Sequence, residues 1–414
     1  MNNLNYIDIF AGAGGLSEGF LKNGYSAIAH IEMNEDACFT LKTRLCYYYL
    51  KKHKRVNDYY KYLRGEISRA ELYDMVPRSL LDTVINETLS AERMHVIFDK
   101  IDILMKQQGV SRVDLLVGGP PCQAYSLVGR ARKAKENKMV GDPRNFLYKL
   151  YCQVLLKYKP KLFVFENVPG ILTANNGLYF ADMQKEFRLA GYNLDYKILN
   201  ASDFSVLQNR RRVILIGWQN HLNYQYPEFY TVNNNFTVND IFLDLPPLQA
   251  GESSDRYKTK PTKYLEWSGI RDKNDVLTWH VARPNIERDR EIYKKVIHTW
   301  NTDKRRMKYT DLPAELCTHR NKTAFLDRFK VVAKDLPVSH TLVAHISKDG
   351  NYFIHPDYNQ ARSISTREAA RIQSFPDNFY FEGSRTSAFI QIGNAVPPLM
   401  AAGIARALKE MLKQ

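Results

Sequence analysis

The chain has 414 residues, 44% of them hydrophobic, enough for a sizeable core and for two domains rather than one. Its 59 Lys and Arg against 44 Asp and Glu leave a formal net charge of +15, which favours a polyanionic partner, nucleic acid before an anionic membrane surface. Five cysteines, at 38, 46, 122, 152 and 317, form no CxxC pair, so neither a disulfide framework nor a zinc site is expected, and no metal. The opening "MNNLNYIDIFAGAGG" lacks the basic and long apolar regions of a secretory signal, and no run of about 18 apolar residues follows that could cross a bilayer. A cytoplasmic protein with reduced thiols and no membrane partner is expected.

In chain order, "IDIFAGAGGLSEGF" (7–20) reads as a strand, a glycine turn and the start of a helix. Gly12, Gly14 and Gly15 let the backbone turn tightly, and the helix start aims its amides at a ligand. "SAIAHIE" (26–32) is the next strand, and Glu32 at its end suits ribose hydroxyls. Ser17 stands where a dinucleotide fingerprint needs its third glycine, so an adenosyl ligand without pyrophosphate fits better. Residues 46–95, rich in Tyr and Lys, interrupt the rhythm and read as an inserted helical pair with a solvated basic face; contact with nucleic acid is the alternative.

"VDLLVGG" (113–119) leads into Pro120, Pro121 and Cys122. Two prolines fix the backbone ahead of the thiol, as a side chain that must be aimed requires; a structural cysteine is the other reading. Beyond it, "GRARKAKENKMVGDPR" (129–144) holds Arg130, Arg132, Lys133, Lys135 and Lys138 against the single acid of that stretch's core, Glu136. "NFLYKLYCQVLLK" (145–157) has helical spacing, and "KLFVFEN" (161–167), "YKILNA" (196–201) and "RVILIGW" (212–218) read as strands. Such alternation predicts an α/β fold with a mostly parallel sheet covered by helices on both faces. Glu166 and Asn167 close one strand, and Gln208, Arg210 and Arg212 precede another, so acid, arginines and cysteine converge on the sheet edge where such folds bind ligands.

From about residue 224 the chain turns polar and irregular. The division expected is 1–225 for the α/β domain, 226–385 for a smaller irregular domain, and 386–414 for a tail whose helix, "LMAAGIARALKEMLK" (399–413), returns to the first domain.

Together "DIFAGAGGLSEGF", "GGPPCQAYS", "FENVPGIL", "QNRRRVILIG", "STREAARIQSFPDNF" and "QIGNAVPP" resemble, in order, the motif series of the DNA cytosine-5 methyltransferases, over residues 8–398. The glycine loop starts close to the N-terminus, which suits the bacterial restriction-modification type. The resemblance implies the S-adenosylmethionine-dependent methyltransferase fold. It implies methyl transfer from S-adenosylmethionine to C5 of a flipped-out cytosine in a specific double-stranded DNA sequence, with S-adenosylhomocysteine as product. Cys122 is implied as nucleophile at C6, Glu166 as the acid at N3, and Arg210 and Arg212 as steadying the base. Phe10, Ala11, Gly12, Gly14, Glu32, Met33, Asp102 (with Asp99 as competitor), Ile103, Pro121, Leu147, Asn394 and Val396 are implied to line the cofactor site. Gln123, Ser126, Arg130, Arg132, Arg144 and Thr341 are implied to contact DNA, Thr341 through the "SHTLVAH" element (339–345). A monomer paired functionally with a restriction endonuclease is expected. The competing readings are an RNA cytosine-5 methyltransferase, a catalytically inactive sequence-specific DNA-binding protein, and a nicotinamide oxidoreductase, the last disfavoured by Ser17 and the Pro-Pro-Cys motif.

Overall fold

A computed structural model describes residues 4–121, 146–231, 235–319 and 326–413. Seven strands form one sheet: β1 (Asn5–Ile9), β2 (Ser26–Glu32), β3 (Val84–Asn86), β4 (Leu115–Gly118), β5 (Leu162–Asn167), β6 (Tyr192–Asn200) and β7 (Arg211–Gln219). Their order is β3-β2-β1-β4-β5-β7-β6, all parallel from β3 to β5, with β7 antiparallel to both β5 and β6. The two-residue period of a strand explains why β1, β4, β5 and β7, covered on both faces, are largely apolar along their length, whereas the edge strand β6 is mostly exposed. Ile7, Ile9, Leu116, Phe163, Phe165, Val213 and Leu215 face one core. Their neighbours Tyr6, Leu115, Val117, Leu162, Val164, Ile214 and Ile216 face the other.

On the first face lie α6 (Met94–Gln108), α7 (Leu147–Tyr158) and α8 (Leu178–Leu189), presenting Ile97, Ile101, Tyr151, Leu155, Met183 and Phe187. On the second lies α1 (Gly15–Lys22), against which the C-terminal helix α13 (Pro398–Met411) packs. A Cβ on Gly19 would stand 2.3 Å from the Ala401 backbone, so the two helices approach to backbone contact. Tyr25 Oη donates to the Ala405 carbonyl (3.0 Å) and Lys409 Nζ to the Asn23 carbonyl (2.6 Å). Residues 385–411 have the length and hydropathy of a membrane span, but α12 (Arg385–Asn394) and α13 are separated by extended backbone at Ala395 and Pro397, and most of the stretch is buried.

Residues 46–95 hold more than a helical pair. They contain the second half of α2 (Glu35–Lys52), then α3 (Val56–Leu63), α4 (Arg69–Asp74), α5 (Arg78–Leu81) and strand β3. Their aromatics turn inward. Tyr47, Tyr59 and Tyr60 share a core with Leu50, Leu63, Leu72 and Leu81, while Lys51, Lys52 and Lys54 face solvent. Tyr59, Tyr60 and Tyr62 also donate to the Asn378 carbonyl (2.8 Å), Asp275 (2.8 Å) and Glu382 (2.7 Å), tying the insert to the second half of the chain.

That half is irregular. It includes α9 (Lys263–Trp267), α10 (Glu287–Asp303) and a two-residue ladder between Ser253–Ser254 and His280–Val281. Its centre is α11 (Thr366–Ile372), from "STREAARIQSFPDNF". Arg371, fully buried, donates to Asp244 (2.6 and 3.0 Å), Asp377 (2.9 and 2.6 Å) and the Ile241 carbonyl (2.7 Å). Arg367 binds the carbonyls of Thr278, Pro376 and Phe379, and Arg362 is bidentate on Glu368, which also caps the helix through Ser365. With little regular structure, residues 235–280 are pinned by these arginines and the apolar side chains around Phe375.

Arg371→Met should therefore destabilise the protein by about 3–5 kcal/mol, because Asp244 and Asp377 would be left buried without it. Urea unfolding of the purified variant measures this, and an unchanged midpoint would refute the assignment.

Candidate functional site

The strand order reverses between β1 and β4: the chain runs from β1 outward to β3, then returns to β4 on the other side. Loops leaving adjacent strands at such a reversal diverge and open a crevice. The loop after β1 carries Phe10, Ala11, Gly12 and Gly14; the loop after β4 carries Gly119, Pro120 and Pro121.

Phe10, Gly12 and Gly14 all have positive φ (59°, 55° and 84°), and Phe10, half-buried, lies against the first core. A Cβ on Gly14 would stand 2.6 Å from Leu41 Cδ2, and one on Gly15 would stand 2.4 Å from the Val396 carbonyl oxygen. Gly12 N–H donates to Glu32 Oε2 and Asn34 N–H to Glu32 Oε1, both at 2.8 Å, so the carboxylate at the end of β2 is fixed in orientation. Met33 beside it is 64% exposed. Ser17, in the place of the missing third glycine, donates to buried Asp8 at 2.5 Å and ties α1 to β1; burial pushes the Asp8 carboxyl up to about 7.

Asp102 and Ile103 are not brought to this crevice. They lie midway along α6, where Asp102 accepts from Lys157 Nζ (2.7 Å) and Tyr158 Oη (2.9 Å). These partners end α7 just before β5 begins, so Asp102 sits toward the opposite, amino end of the strands. Asn86 takes the place at the crevice. It ends β3 in register with Glu32 and donates through Nδ2 to the carbonyls of Glu32 (3.1 Å) and Met33 (3.0 Å). Its strand has only three residues inside a helical insert, too short for periodicity to reveal.

Across the crevice, Glu166 Oε1 is 2.7 Å from Arg212 Nε, both side chains nearly buried. A Cβ on Gly119 would stand 2.5 Å from Glu166 Oε2, so the loop must be glycine there for the carboxylate to lie beside it. Asn167 Nδ2 donates to the Pro120 carbonyl (3.2 Å), fastening the Pro-Pro segment to the end of β5. Pro121 is exposed, and Leu147 is half-buried at the start of α7. Asn394 is exposed at the end of α12, whereas Val396 is buried against α1. Arg210 is fully buried and donates to the main-chain carbonyls of Leu342, Gly393 and Ala395, and Thr341 Oγ1 donates to the Asn209 carbonyl (2.6 Å).

Cys122, Gln123, Ser126, Arg130, Arg132 and Arg144 lie outside the described residues. The other cysteines are poor nucleophiles. Burial pushes the Cys38 and Cys46 thiols up to about 12 and that of Cys152 to about 11, and Cys317 donates to the Tyr309 carbonyl (3.2 Å). Among the described residues no group of three His, Cys, Asp or Glu is placed to hold a metal ion.

The chain matches the family model for C-5 cytosine-specific DNA methylases over residues 4–76 and 67–410. It is 42% identical to the type II methyltransferase M.Bpa9945I of Bacillus paralicheniformis, covering 98% of both chains. It is 32% identical to the type II methyltransferase M.DdeI of Desulfomicrobium norvegicum, covering 97% of this chain and 88% of that one. Among solved structures it resembles a prophage-encoded E. coli protein described as a DNA modification methyltransferase, with TM-score 0.65 and 23% identity over the whole of both chains. The S. pombe Dnmt2 methyltransferase matches with TM-score 0.54 and 15% identity over 99% of each chain; these two likenesses bear on the fold alone. With the family model covering nearly the entire sequence, the chain belongs to the C-5 cytosine-specific DNA methylase family.

Proposed function

We propose that this chain transfers a methyl group from S-adenosylmethionine to C5 of a cytosine flipped out of a specific double-stranded DNA sequence, through a covalent Cys122–C6 adduct. The observation that carries the reading is the Glu166–Arg212 pair beside Gly119, on the loop after β4, with the Glu32–Gly12 bond at the loop after β1 on the other side of the strand-order reversal. Its relatives named as type II methyltransferases suggest the role of protecting DNA from a cognate endonuclease. Residues 226–385 are assigned to target recognition.

The cofactor side fits an adenosyl ligand. Glu32 is held by two backbone N–H groups and keeps lone pairs for ribose hydroxyls, and Gly12 offers backbone with no side chain in the way. Phe10, Met33, Asn86, Pro121, Leu147, Asn394 and Val396 complete the set that would hold it. When bound, S-adenosylmethionine supplies an electrophilic methyl group, which only a carbon more electron-rich than C5 of an intact cytosine will accept.

Making C5 electron-rich is the work of this chain's own residues. The Cys122 thiolate adds to C6, breaks the ring's aromaticity and turns C5 into an enamine-like carbon. Glu166 holds the base through N3 and the exocyclic amine and shares a proton at N3, offsetting the charge the addition puts there. Arg212 keeps that carboxylate in place by charge, with Nε 2.7 Å from Oε1. Loss of the C5 proton and expulsion of Cys122 then restore the aromatic base. The base must leave the duplex for any of this, and the basic stretch of Arg130, Arg132, Lys133, Lys135 and Lys138 would hold the opened DNA by its phosphates.

Bisulfite sequencing of plasmid DNA from a host expressing the chain should show one methylated sequence, and Cys122→Ser should abolish the signal while DNA binding in a gel-shift assay persists. Methylation by the Ser variant at the wild-type rate would sink the covalent mechanism. Glu166→Gln should cut turnover at saturating substrates by about 10²–10⁴-fold, the ordinary worth of a general acid–base group; an unaltered turnover places the acid elsewhere. Glu32→Ala should weaken S-adenosylhomocysteine binding, read by calorimetry, by about 10–100-fold, as loss of hydrogen bonds to a charged group does. An unchanged dissociation constant would remove Glu32 from the ribose site.

A further inference from the structure

Arg210, immediately before β7, and Arg212, its second residue, stand on alternate positions, yet their guanidinium groups have different surroundings. Arg210 Nη1 donates to the Leu342 carbonyl (2.5 Å), and Nη2 to the carbonyls of Gly393 (3.1 Å) and Ala395 (2.9 Å). One fully buried side chain thus binds two segments far apart in sequence. The first is the strap 339–342, which pairs with 207–210: Ser339 N–H donates to the Leu207 carbonyl (2.9 Å) and Asn209 N–H to the Ser339 carbonyl (2.8 Å). The second is the turn 393–396, which carries Asn394 and whose Val396 carbonyl lies against Gly15 of the glycine loop.

Gln208 repeats the pattern. Its Oε1 accepts from Leu342 N–H (2.9 Å), and its Nε2 donates to Gln373 Oε1 (2.9 Å) and the Ile372 carbonyl (3.1 Å). Gln373 in turn donates to the carbonyls of Ile392 (2.7 Å) and Ala395 (3.3 Å). The cofactor-side turn also touches the residues that follow the strap: a Cβ on Gly393 would stand 2.3 Å from Ala344 N. A shift of either segment costs the buried cation a carbonyl that water cannot replace.

We propose that Arg210 is a positioning residue that couples the cofactor site to the recognition strap carrying Thr341, and does not contact the target base. The inference rests on the methyltransferase reading above and deepens it. A ligand that settles the glycine loop settles the 393–396 turn, and through Arg210 the strap; DNA seated on the strap acts back on the cofactor by the same bonds. Linkage requires the effect to be reciprocal.

The test is calorimetry of S-adenosylhomocysteine binding, with and without a duplex carrying the sequence that bisulfite mapping assigns to the wild type. The wild type should bind S-adenosylhomocysteine more tightly with the duplex, by a factor in the roughly 5–150-fold range of such couplings. In Arg210→Met that factor should fall below about 2, and in Arg210→Lys, which keeps the charge, to an intermediate value. Arg212→Met should keep the wild-type factor while losing turnover. Should the Met variant fail to fold, the Lys variant decides. A wild-type factor in the Arg210 variants, or no factor in the wild type, overturns the coupling. Absence of C5 methylation by the wild type would instead overturn the functional reading, so the two failures are distinguishable.

Discussion

The reversal of strand order between β1 and β4 is the constraint on which the site depends. Parallel strands with helical crossovers bring every strand-to-helix loop to one edge, but neighbouring crossovers normally cover one another. Only where the chain changes direction do two loops part, and there this sequence places its glycine turn and the loop carrying Gly119, Pro120 and Pro121. Short-range chemistry then finishes each wall. The Gly12 and Asn34 amides orient Glu32 on one side, and Arg212 and Gly119 shape the surroundings of Glu166 on the other. Both walls rise from the paired strands β1 and β4, so the position of the crevice follows from topology before any side chain is considered.

Much of this was legible in the sequence, because most of the sheet is buried on both faces. Five of the seven strands announce themselves as apolar runs, and Glu32 and Glu166 stand at strand ends where polar residues interrupt those runs; the edge strand β6 is mostly exposed and extends from Tyr192 to Asn200, beyond the segment 196–201 that the sequence suggests. The exceptions share a cause: tertiary partners distant in sequence. β3 is three residues long and is defined by its pairing with His30, Ile31 and Glu32. The insert before it displaced the motif reading to Asp102, whereas spatial register puts Asn86 at the crevice. Arg210 and Arg212 look equivalent as alternate residues of one strand entrance, and only their carbonyl and carboxylate partners separate them.

Between residues 224 and 395 the sequence could say little, and the structure gives the reason. An all-helical or all-sheet unit satisfies its backbone locally and leaves a periodic trace. Here side chains do that work. Arg371, Arg367 and Arg362 each bind backbone carbonyls as well as carboxylates or hydroxyls, and the bonded segments lie up to about 130 residues away. "STREAARIQSFPDNF" resembles a catalytic-family motif, yet its charged residues are buried in a scaffold. They hold the irregular segment rather than a ligand, and the insert's tyrosines grip that scaffold from the other side at Asp275, Asn378 and Glu382.

This changes how the net charge of +15 should be read. An excess of basic residues suggests a surface for polyanions, but Arg44, Arg210, Arg362, Arg367 and Arg371 are buried inside the molecule. Carboxylates lie within ion-pair distance of Arg44 (Glu18), Arg362 (Glu368), Arg367 (Asp377) and Arg371 (Asp244 and Asp377). Those carboxylates are as unavailable to solvent as their partners. Burial therefore removes anions along with cations, and the basic excess passes to the surface nearly intact. Among the described residues it is carried there by lysines such as Lys51, Lys52 and Lys54. The division of labour follows from chemistry: the planar guanidinium can satisfy several fixed acceptors at once in the interior, whereas the compact, strongly hydrated ammonium belongs in water, where phosphate contacts are exchanged for released counterions.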